Sequence, residues 1–423
     1  MVKSFEIMIN LYVFDNKNSR SSIYGIGTYI NELSKSISPY NKQGIHICFI
    51  HLNYDTKKLF QEEINGITHW YFPLSKIKYK DSEKHNQLYF QNIVFILKKY
   101  IQQTDNLIFH LNYLNCKTFS DALKASFNCK IVLAVHYLTW CLDLLSNVSQ
   151  LKIILNKSDE KLEQLDIRVR KSFKEEKESL LSVDKVLCLS NHTAEILNKK
   201  YKIKKNNIAV IYNGLEDRSQ REFDVEIIRQ KYQLPIKTTV IMFAGRLDPV
   251  KGLSFFIRAS KIVLEQFPDT HILVAGSGDY DSCMKECGNK WMNIHFIGLQ
   301  EKVDLYELYS ITDIGVIPSF HEQCSYVAIE MMMHGIPIVA STSTGLSEMV
   351  EEGITGLHVP VQEFEDKVDI DVSLLAEEML YLLKNETERK EMGKNARKRY
   401  NMLYSSQIMG EKTNILYKKI YNI

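Results

Sequence analysis

Four side chains have the residue types and spacing for chemistry: Glu322 and Glu330, eight apart, and Arg246 and Lys251, five apart. Paired carboxylates serve as acid and base in glycoside hydrolysis, or accept hydrogen bonds from hydroxyl groups. An arginine fork beside a compact lysine charge suits a pyrophosphate. Taken alone, an Arg and a Lys five residues apart mark a solvated face. A hydrolase has no use for a diphosphate site, so only if the cations hold a diphosphate do the two pairs together favour group transfer over hydrolysis.

The elements that must position these groups are legible around them. In Asp313–Val350 (DIGVIPSFHEQCSYVAIEMMMHGIPIVASTSTGLSEMV) an apolar run, Ile314 to Pro318, reads as a strand buried on both faces. A polar turn carries Glu322. A helix is expected over Ser325–His334 with Glu330 in its first turn, then a strand over Pro337–Ala340 and a Gly-bearing loop. Upstream, TTVIMFAGRLDPVKG (Thr238 to Gly252) predicts a strand ending at Gly245, with Arg246 and Lys251 on the following loop. Both pairs are thus expected at the carboxyl ends of strands, where open α/β sheets bind ligands.

The N-terminal half carries weaker signals. Residues 5–14 read as a first strand and residues 16–22 as a polar loop, and Tyr24-Gly25-Ile26-Gly27 opens a helix to about Ile37. Glycine lets backbone approach a ligand, and a helix N-terminus favours phosphate. No Gly-x-Gly-x-x-Gly follows, since Thr28, Tyr29 and Ile30 come next, so a nicotinamide dehydrogenase fits poorly. Further strands are expected at Ile45–His51, Leu107–Leu111, Ile131–His136 and Asp184–Ser190. His136 lies at a strand tip, where a histidine is more often a structural hydrogen-bonder than a catalytic group. His110 and Asn112 end the strand before it. The charged, periodic stretch from Val148 to Leu181 reads as one amphipathic helix. Ser190 is placed to cap a helix over Thr193–Lys200. Two Asp-x-Asp triplets, Asp279–Asp281 and Asp369–Asp371, precede helical segments and read as caps, not metal ligands. Another strand is expected over Trp291–Leu299, and past Pro360 the chain reads as helical.

At 423 residues, two domains are the natural expectation. A hydrophobic share of 45% and a net charge of +2 describe a soluble globular protein with no call for nucleic acid. Cysteines 48, 116, 129, 141, 188, 283, 287 and 324 are scattered, as reduced residues of a cytoplasmic protein would be. The first residues lack a small-residue cleavage site, and no run reaches the ~18 apolar residues of a membrane helix. Peripheral contact with a membrane surface is compatible with this composition.

The motif Pro318-Ser319, Glu322, Glu330, Gly335, Pro337-Ile338-Val339-Ala340 resembles the E-x7-E segment of the retaining glycosyltransferases of family 4. Gly245-Arg246-Leu247, Lys251 and Gly252 resemble that family's diphosphate signature, and Tyr212-Asn213-Gly214 its hinge. The resemblance implies an α/β, GT-B fold: two Rossmann-like domains facing each other across a cleft, with a C-terminal helix crossing back to the first. The expected boundaries are 1–214 for an acceptor-side domain, 215–234 for a linker, 235–400 for the nucleotide-sugar domain and 401–423 for the returning helix. It implies transfer of a sugar from a nucleotide-diphosphate sugar, UDP- or GDP-linked, with retention of configuration by front-face displacement and without a metal or other cofactor. The implied catalytic residues are Glu322, His136, Arg246 and Lys251. The implied donor-binding residues are Gly25, Gly27, Gly245, Arg246, Lys251, Gly298, Glu322, Ser325, Tyr326, Glu330, Thr344, Gly345 and Leu346. Gly298 marks the base-binding turn, Glu330 the ribose acceptor, and Thr344–Leu346 a loop whose amides hold phosphate. Ser325 stands where many relatives have glycine, and Thr344 replaces another. Glycan, lipid-linked, peptide and small-molecule acceptors all fit. The alternative is a non-catalytic protein of the same fold that binds a sugar nucleotide or glycan.

Overall fold

The computed structural model describes residues 8–16, 25–74, 82–102, 105–219 and 223–422. By their internal contacts the residues group into two units. The first comprises Met1–Leu138, Arg170–Gly214 and Ser406–Ile423, and the second Thr139–Val169 and Leu215–Ser405.

The first unit is built on one sheet. Its strands are β1 (Ile9–Asn16), β2 (Ile45–Tyr54), β3 (Phe60–Ile64), β4 (Ile67–Pro73), β5 (Leu107–Leu111), β6 (Cys129–Val135), β7 (Lys185–Cys188) and β8 (Ile208–Val210). They lie in the order β3-β4-β2-β1-β5-β6-β7-β8, all parallel except the β3–β4 hairpin. The second unit holds a six-stranded parallel sheet. Its strands are β9 (Val240–Ala244), β10 (His271–Ala275), β11 (Ile294–Gly298), β12 (Ile314–Ile317), β13 (Ile338–Ser341) and β14 (Gly356–Val359), in the order β11-β10-β9-β12-β13-β14. A small antiparallel pair, β15 (Val361–Glu363) and β16 (Val368–Ile370), follows.

These apolar runs become central strands because helices cover both faces of a parallel sheet. Ile241, Ile272, Ile314, Val316 and Val339 are all fully buried in one cluster with Phe256, Ile257 and Leu375 of flanking helices. Each such side chain contributes about 1.5–3 kcal/mol, against the entropy of ordering the chain. In each sheet one early strand is flanked on both sides: β1 by β2 and β5, β9 by β10 and β12. Crossovers leave in opposite directions there, and the carboxyl ends of those strands are where such sheets bind ligands.

Several local expectations need correction. The first strand begins at Ile9 and runs to Asn16, while residues 5–7 and the loop and helix approach over 17–24 lie outside the described residues. The single helix expected over Val148–Leu181 is three pieces: Val148–Asn156, a short turn at Asp159–Lys161, and Gln164–Ser182. Lys157 turns extended after the first piece and its ammonium bonds Asp166 at 2.6 Å, which fixes the break. Thr139–Val169 also groups with the second unit, where Ser146 meets His321 at 2.9 Å and Asn147 donates to the carbonyls of Phe364 and Lys367. The strand expected over Trp291–Leu299 is shorter, because Gly288–Asn293 forms a 3-10 turn before β11. After Pro360 the chain first forms β15 and β16, whose Val368 and Ile370 join the core, before turning helical at Val372. The stretch expected as linker contains a helix, Val225–Lys231, capped by Asp224.

Candidate active site

The switch between β9 and β12 brings the two central motifs together. After β9 the chain passes Gly245 and Arg246, and Asp248 caps a single 3-10 turn, Pro249–Lys251, by accepting from the Lys251 amide. Gly252 closes the turn with φ +68, and a Cβ there would lie 2.0 Å from the Pro318 carbonyl oxygen. Only glycine permits that approach. The Phe320 amide then donates to the Val250 carbonyl at 2.7 Å, locking the turn after β12 onto the turn after β9.

This junction places the Lys251 ammonium 2.5 Å from Glu322 Oε1, with the two side chains 21% and 13% exposed. The Ser319 hydroxyl donates to the same oxygen at 3.2 Å. The main chain of Glu322 is fixed as well: its amide donates to the Thr344 hydroxyl at 2.9 Å, and its carbonyl accepts from that hydroxyl and from the Gly345 amide. Arg246 does not reach either glutamate. It pairs with Asp248 at 2.8 Å, and its Nε finds no partner among the described residues.

Ser325 caps the helix Tyr326–Met333 by accepting from the Ala328 amide, and Tyr326 is the first helical residue. Glu330 therefore falls in the second turn, not the first. It is 1% exposed. Its carboxylate meets Lys302 through Oε1 and the Tyr309 hydroxyl at 3.1 Å through Oε2. Lys302 and Tyr309 lie two turns apart on the helix Lys302–Ser310, which starts just after the Gly298 turn. Burial, then the Glu330 charge, raises the Tyr309 hydroxyl well above the usual tyrosine range, so it stays a donor. The sequence reading missed Lys302 and Tyr309. With Tyr306 they recur at 302, 306 and 309, a helical face whose signal was available.

The loop after β13 differs from expectation. The amide of Gly345 donates to Glu322 and that of Leu346 to Ser343, and the Leu346 side chain is buried. Those two amides are already engaged within the protein, so the loop braces Glu322 instead of presenting them to phosphate. Thr344 takes φ +37, a conformation suited to glycine, and its hydroxyl bonds to Glu322 hold it there. Gly298 ends β11 with φ +76 and open space around its missing Cβ.

The remaining candidates belong to the first unit. Gly25 and Gly27 form the first turn of the helix Gly25–Ile37. His136 follows β6; its Nε2 lies 3.2 Å from Asn112 Oδ1, and its ring packs edge-on against Tyr29 at 4.6 Å. Loss of hydration pushes its pKa down to about 3, with the Asp15 carboxylate opposing the shift. The amide of Asn112 is in turn anchored on the Phe14 carbonyl. His110 is not at a surface: it is fully buried, and its Nδ1 lies 2.5 Å from the Tyr417 hydroxyl. A polar chain that sequence reasoning did not assemble runs from Asp15 through His51 at 3.2 Å to His69 at 3.0 Å. Its members come from β1, β2 and β4, and no sequence spacing announces their contact.

Both Asp-x-Asp triplets hold caps. Asp279 accepts from the Ser282 amide, and Asp371 from those of Ser373 and Leu374. Among the described residues, no helix is long and apolar enough to cross a membrane.

Residues 224–399 match the model of the glycosyl transferases group 1, and residues 23–218 match that of glycosyltransferase family 4. The GDP-mannose-dependent monoacylated alpha-(1-6)-phosphatidylinositol monomannoside mannosyltransferase of Corynebacterium glutamicum is 32% identical over 202 residues, 46% of this chain and 51% of that protein. The chain spans about half the length of such curated relatives. Sucrose-phosphate synthase from Thermosynechococcus elongatus has the same fold, with a TM-score of 0.71 at 19% identity over 98% of this chain and 99% of that one. HepE from Anabaena, solved with UDP and glucose, follows at 0.69 and 16% identity over 97% and 100%. With two parallel α/β units, both family motifs in place and family models matching each half, the chain belongs to the GT-B glycosyltransferases of family 4 type.

Proposed function

We propose that the protein transfers a sugar from a UDP- or GDP-sugar to a hydroxyl acceptor with retention of configuration and without a metal ion. The observation that carries this reading is the Lys251–Glu322 pair at the carboxyl ends of β9 and β12, with Arg246 on the same loop. Breaking a sugar–diphosphate bond builds negative charge on the leaving phosphate. Preorganised cations lower that barrier by several kcal/mol. Lys251 and Arg246 are the residues proposed to take that charge. Glu322, held by Lys251 and Ser319, would accept hydrogen bonds from sugar hydroxyls. A carboxylate already bonded by an ammonium and a hydroxyl is better suited to orienting the sugar than to attacking it. Glu330 is the proposed acceptor for the ribose hydroxyls, and Gly298 the proposed base turn. In the first unit, His136 is the proposed catalytic histidine, and its lowered pKa keeps it neutral at physiological pH. In the proposed step the bond from the anomeric carbon to the phosphate oxygen breaks, the acceptor oxygen bonds to that carbon on the same face, and the acceptor proton passes to the departing phosphate.

The proposal of metal independence rests on the capping roles of both Asp-x-Asp triplets, whose first or last aspartate accepts from helix amides. The C. glutamicum relative is named for GDP-mannose and a phosphatidylinositol mannoside, and HepE was solved with UDP and glucose; these names support a nucleotide-sugar donor. Acceptors of glycan, lipid-linked, peptide or small-molecule type are all accommodated by this reading, which places the protein in the cytoplasm, free or at a membrane surface. The test is donor-dependent release of nucleoside diphosphate from a panel of nucleotide sugars, with chelator present. Release abolished by Lys251→Ala, but kept in Lys199→Ala at an exposed helix end, supports transfer. Binding without release in any combination points to the non-catalytic alternative.

A further inference from the structure

The Glu330 carboxylate is almost wholly removed from solvent, yet one of its two cationic or hydroxyl partners, Lys302, is 48% exposed. A buried carboxylate stripped of its counter-ion is left with an uncompensated charge. The other partner, Tyr309, is itself buried and bonds only Oε2. Lys302 is therefore what satisfies Oε1 and fixes the plane of the carboxyl group. A carboxylate has about four acceptor directions. Lys302 and Tyr309 use one on each oxygen, which leaves one on each for a pair of neighbouring hydroxyls.

Lys302 is also the first residue of its helix, four positions after Gly298. The length of chain between the base turn and this ammonium is thus very short. The Glu330 side is rigid by comparison: His334 Nδ1 lies 2.8 Å from the Glu330 carbonyl, and its ring packs against Tyr306 and Tyr309. The adjustable member of the cluster is the lysine.

We propose that Lys302 is a positioning residue for ribose recognition: it orients Glu330 to receive a 2′,3′-diol, and so sets the preference for ribonucleotides over deoxyribonucleotides. This rests on the assignment of Glu330 as the ribose acceptor. Lys302 does not touch the transferred sugar and acts through Glu330.

The experiment is titration calorimetry of the full chain with UDP, GDP and their 2′-deoxy and 3′-deoxy forms, on wild type, Lys302→Met, Lys302→Arg and Tyr309→Phe. Melting curves check folding, and Lys302→Gln replaces the Met variant if that one is unfolded. A charge-assisted hydrogen bond lost through misorientation predicts that Lys302→Met weakens ribonucleotide binding about tenfold. Binding of the deoxy forms changes little, so the ribo-to-deoxy ratio falls toward one, and Lys302→Arg restores most of it. In turnover assays KM for the donor rises and kcat is nearly unchanged. A wild-type ratio retained in Lys302→Met, or equal losses for ribo and deoxy forms, overturns the role of Lys302 alone. A wild type that binds a nucleotide without preferring the ribo form overturns the assignment of Glu330, and one that binds neither nucleotide overturns the donor reading.

Discussion

Lys251 meets two demands at one atom. It balances Glu322 now, and in the proposed reaction it would share its charge with the leaving phosphate. Lys251→Ala should therefore lower kcat by about 10²–10³-fold, the scale of losing one preorganised charge donor. Circular dichroism should remain native, because the lysine is at a loop and Glu322 keeps Ser319 and its backbone bonds. Glu322→Gln keeps the shape but weakens the charge-assisted bond to Lys251. It should lower turnover more than nucleotide binding, which calorimetry with the nucleoside diphosphate alone would show. At Gly252 the constraint is steric. Gly252→Ala drives a methyl into the Pro318 carbonyl at a positive φ, and the strain should cost about 1–3 kcal/mol. The melting temperature should drop by several degrees, and activity should fall with it, since the same contact seats Glu322.

At the scale of elements, the loop after β13 works as a brace. Thr344 occupies a backbone conformation that favours glycine, and its hydroxyl ties both main-chain groups of Glu322. Thr344→Val removes those bonds while keeping the branched shape, and should cost about 1–3 kcal/mol by leaving buried polar groups unsatisfied. Its kcat should fall together with stability, whereas Thr344→Gly should relax the backbone and lose part of the activity with a smaller loss of melting temperature. The neighbouring cap is separable: Ser325→Ala should cost about 1 kcal/mol by freeing the Ala328 amide. The β3–β4 hairpin shows what a local reading overlooks. Asn65 and Gly66 both take positive φ, the Asn-Gly hairpin signal, but β3 is five residues long, largely exposed and carries two consecutive glutamates, so it lacks the apolar pattern that marks a strand.

For the whole molecule, acid stability follows from buried imidazoles. Burial lowers the pKa of His69 to about 4, and those of His110 and His136 to about 3. The unfolded chain takes up these protons near pH 6.5 while the folded chain refuses them. Stability is then full above about pH 6.5 and declines as pH falls toward 4 and on toward 3. Urea midpoints measured from pH 7.5 to 4 should fall steadily, and His110→Asn should flatten the slope. The first unit also depends on the last segment of chain. Tyr417 reaches His110 and the Tyr421 hydroxyl donates to the Leu107 carbonyl, while a Cβ on Gly410 would lie 2.2 Å from the Ser36 carbonyl. A chain ending at Ser405 should lose the cooperative unfolding of the first unit and keep that of the second, as differential scanning calorimetry would resolve.

Sequence alone determined what is local or periodic. Ile314–Pro318 and the run from Thr238 that ends at Gly245 read as strands because buried parallel strands are continuous apolar runs, and Ser190, Asp279 and Asp371 read as caps because a short polar side chain before a helix has one obvious use. It also placed Arg246, Lys251 and Glu322 on the turns that follow strand ends, where the fold has them, whereas Glu330 lies in the second turn of a helix. It did not determine partnership. That Glu322 takes Lys251 while Glu330 takes Lys302 depends on which strands become neighbours and how closely Gly252 lets two loops approach. The grouping of Thr139–Val169 with the second unit and of Ser406–Ile423 with the first was decided the same way. Those outcomes rest on packing and hydrogen bonds between residues tens to hundreds of positions apart, and only the tertiary structure brings such residues within reach.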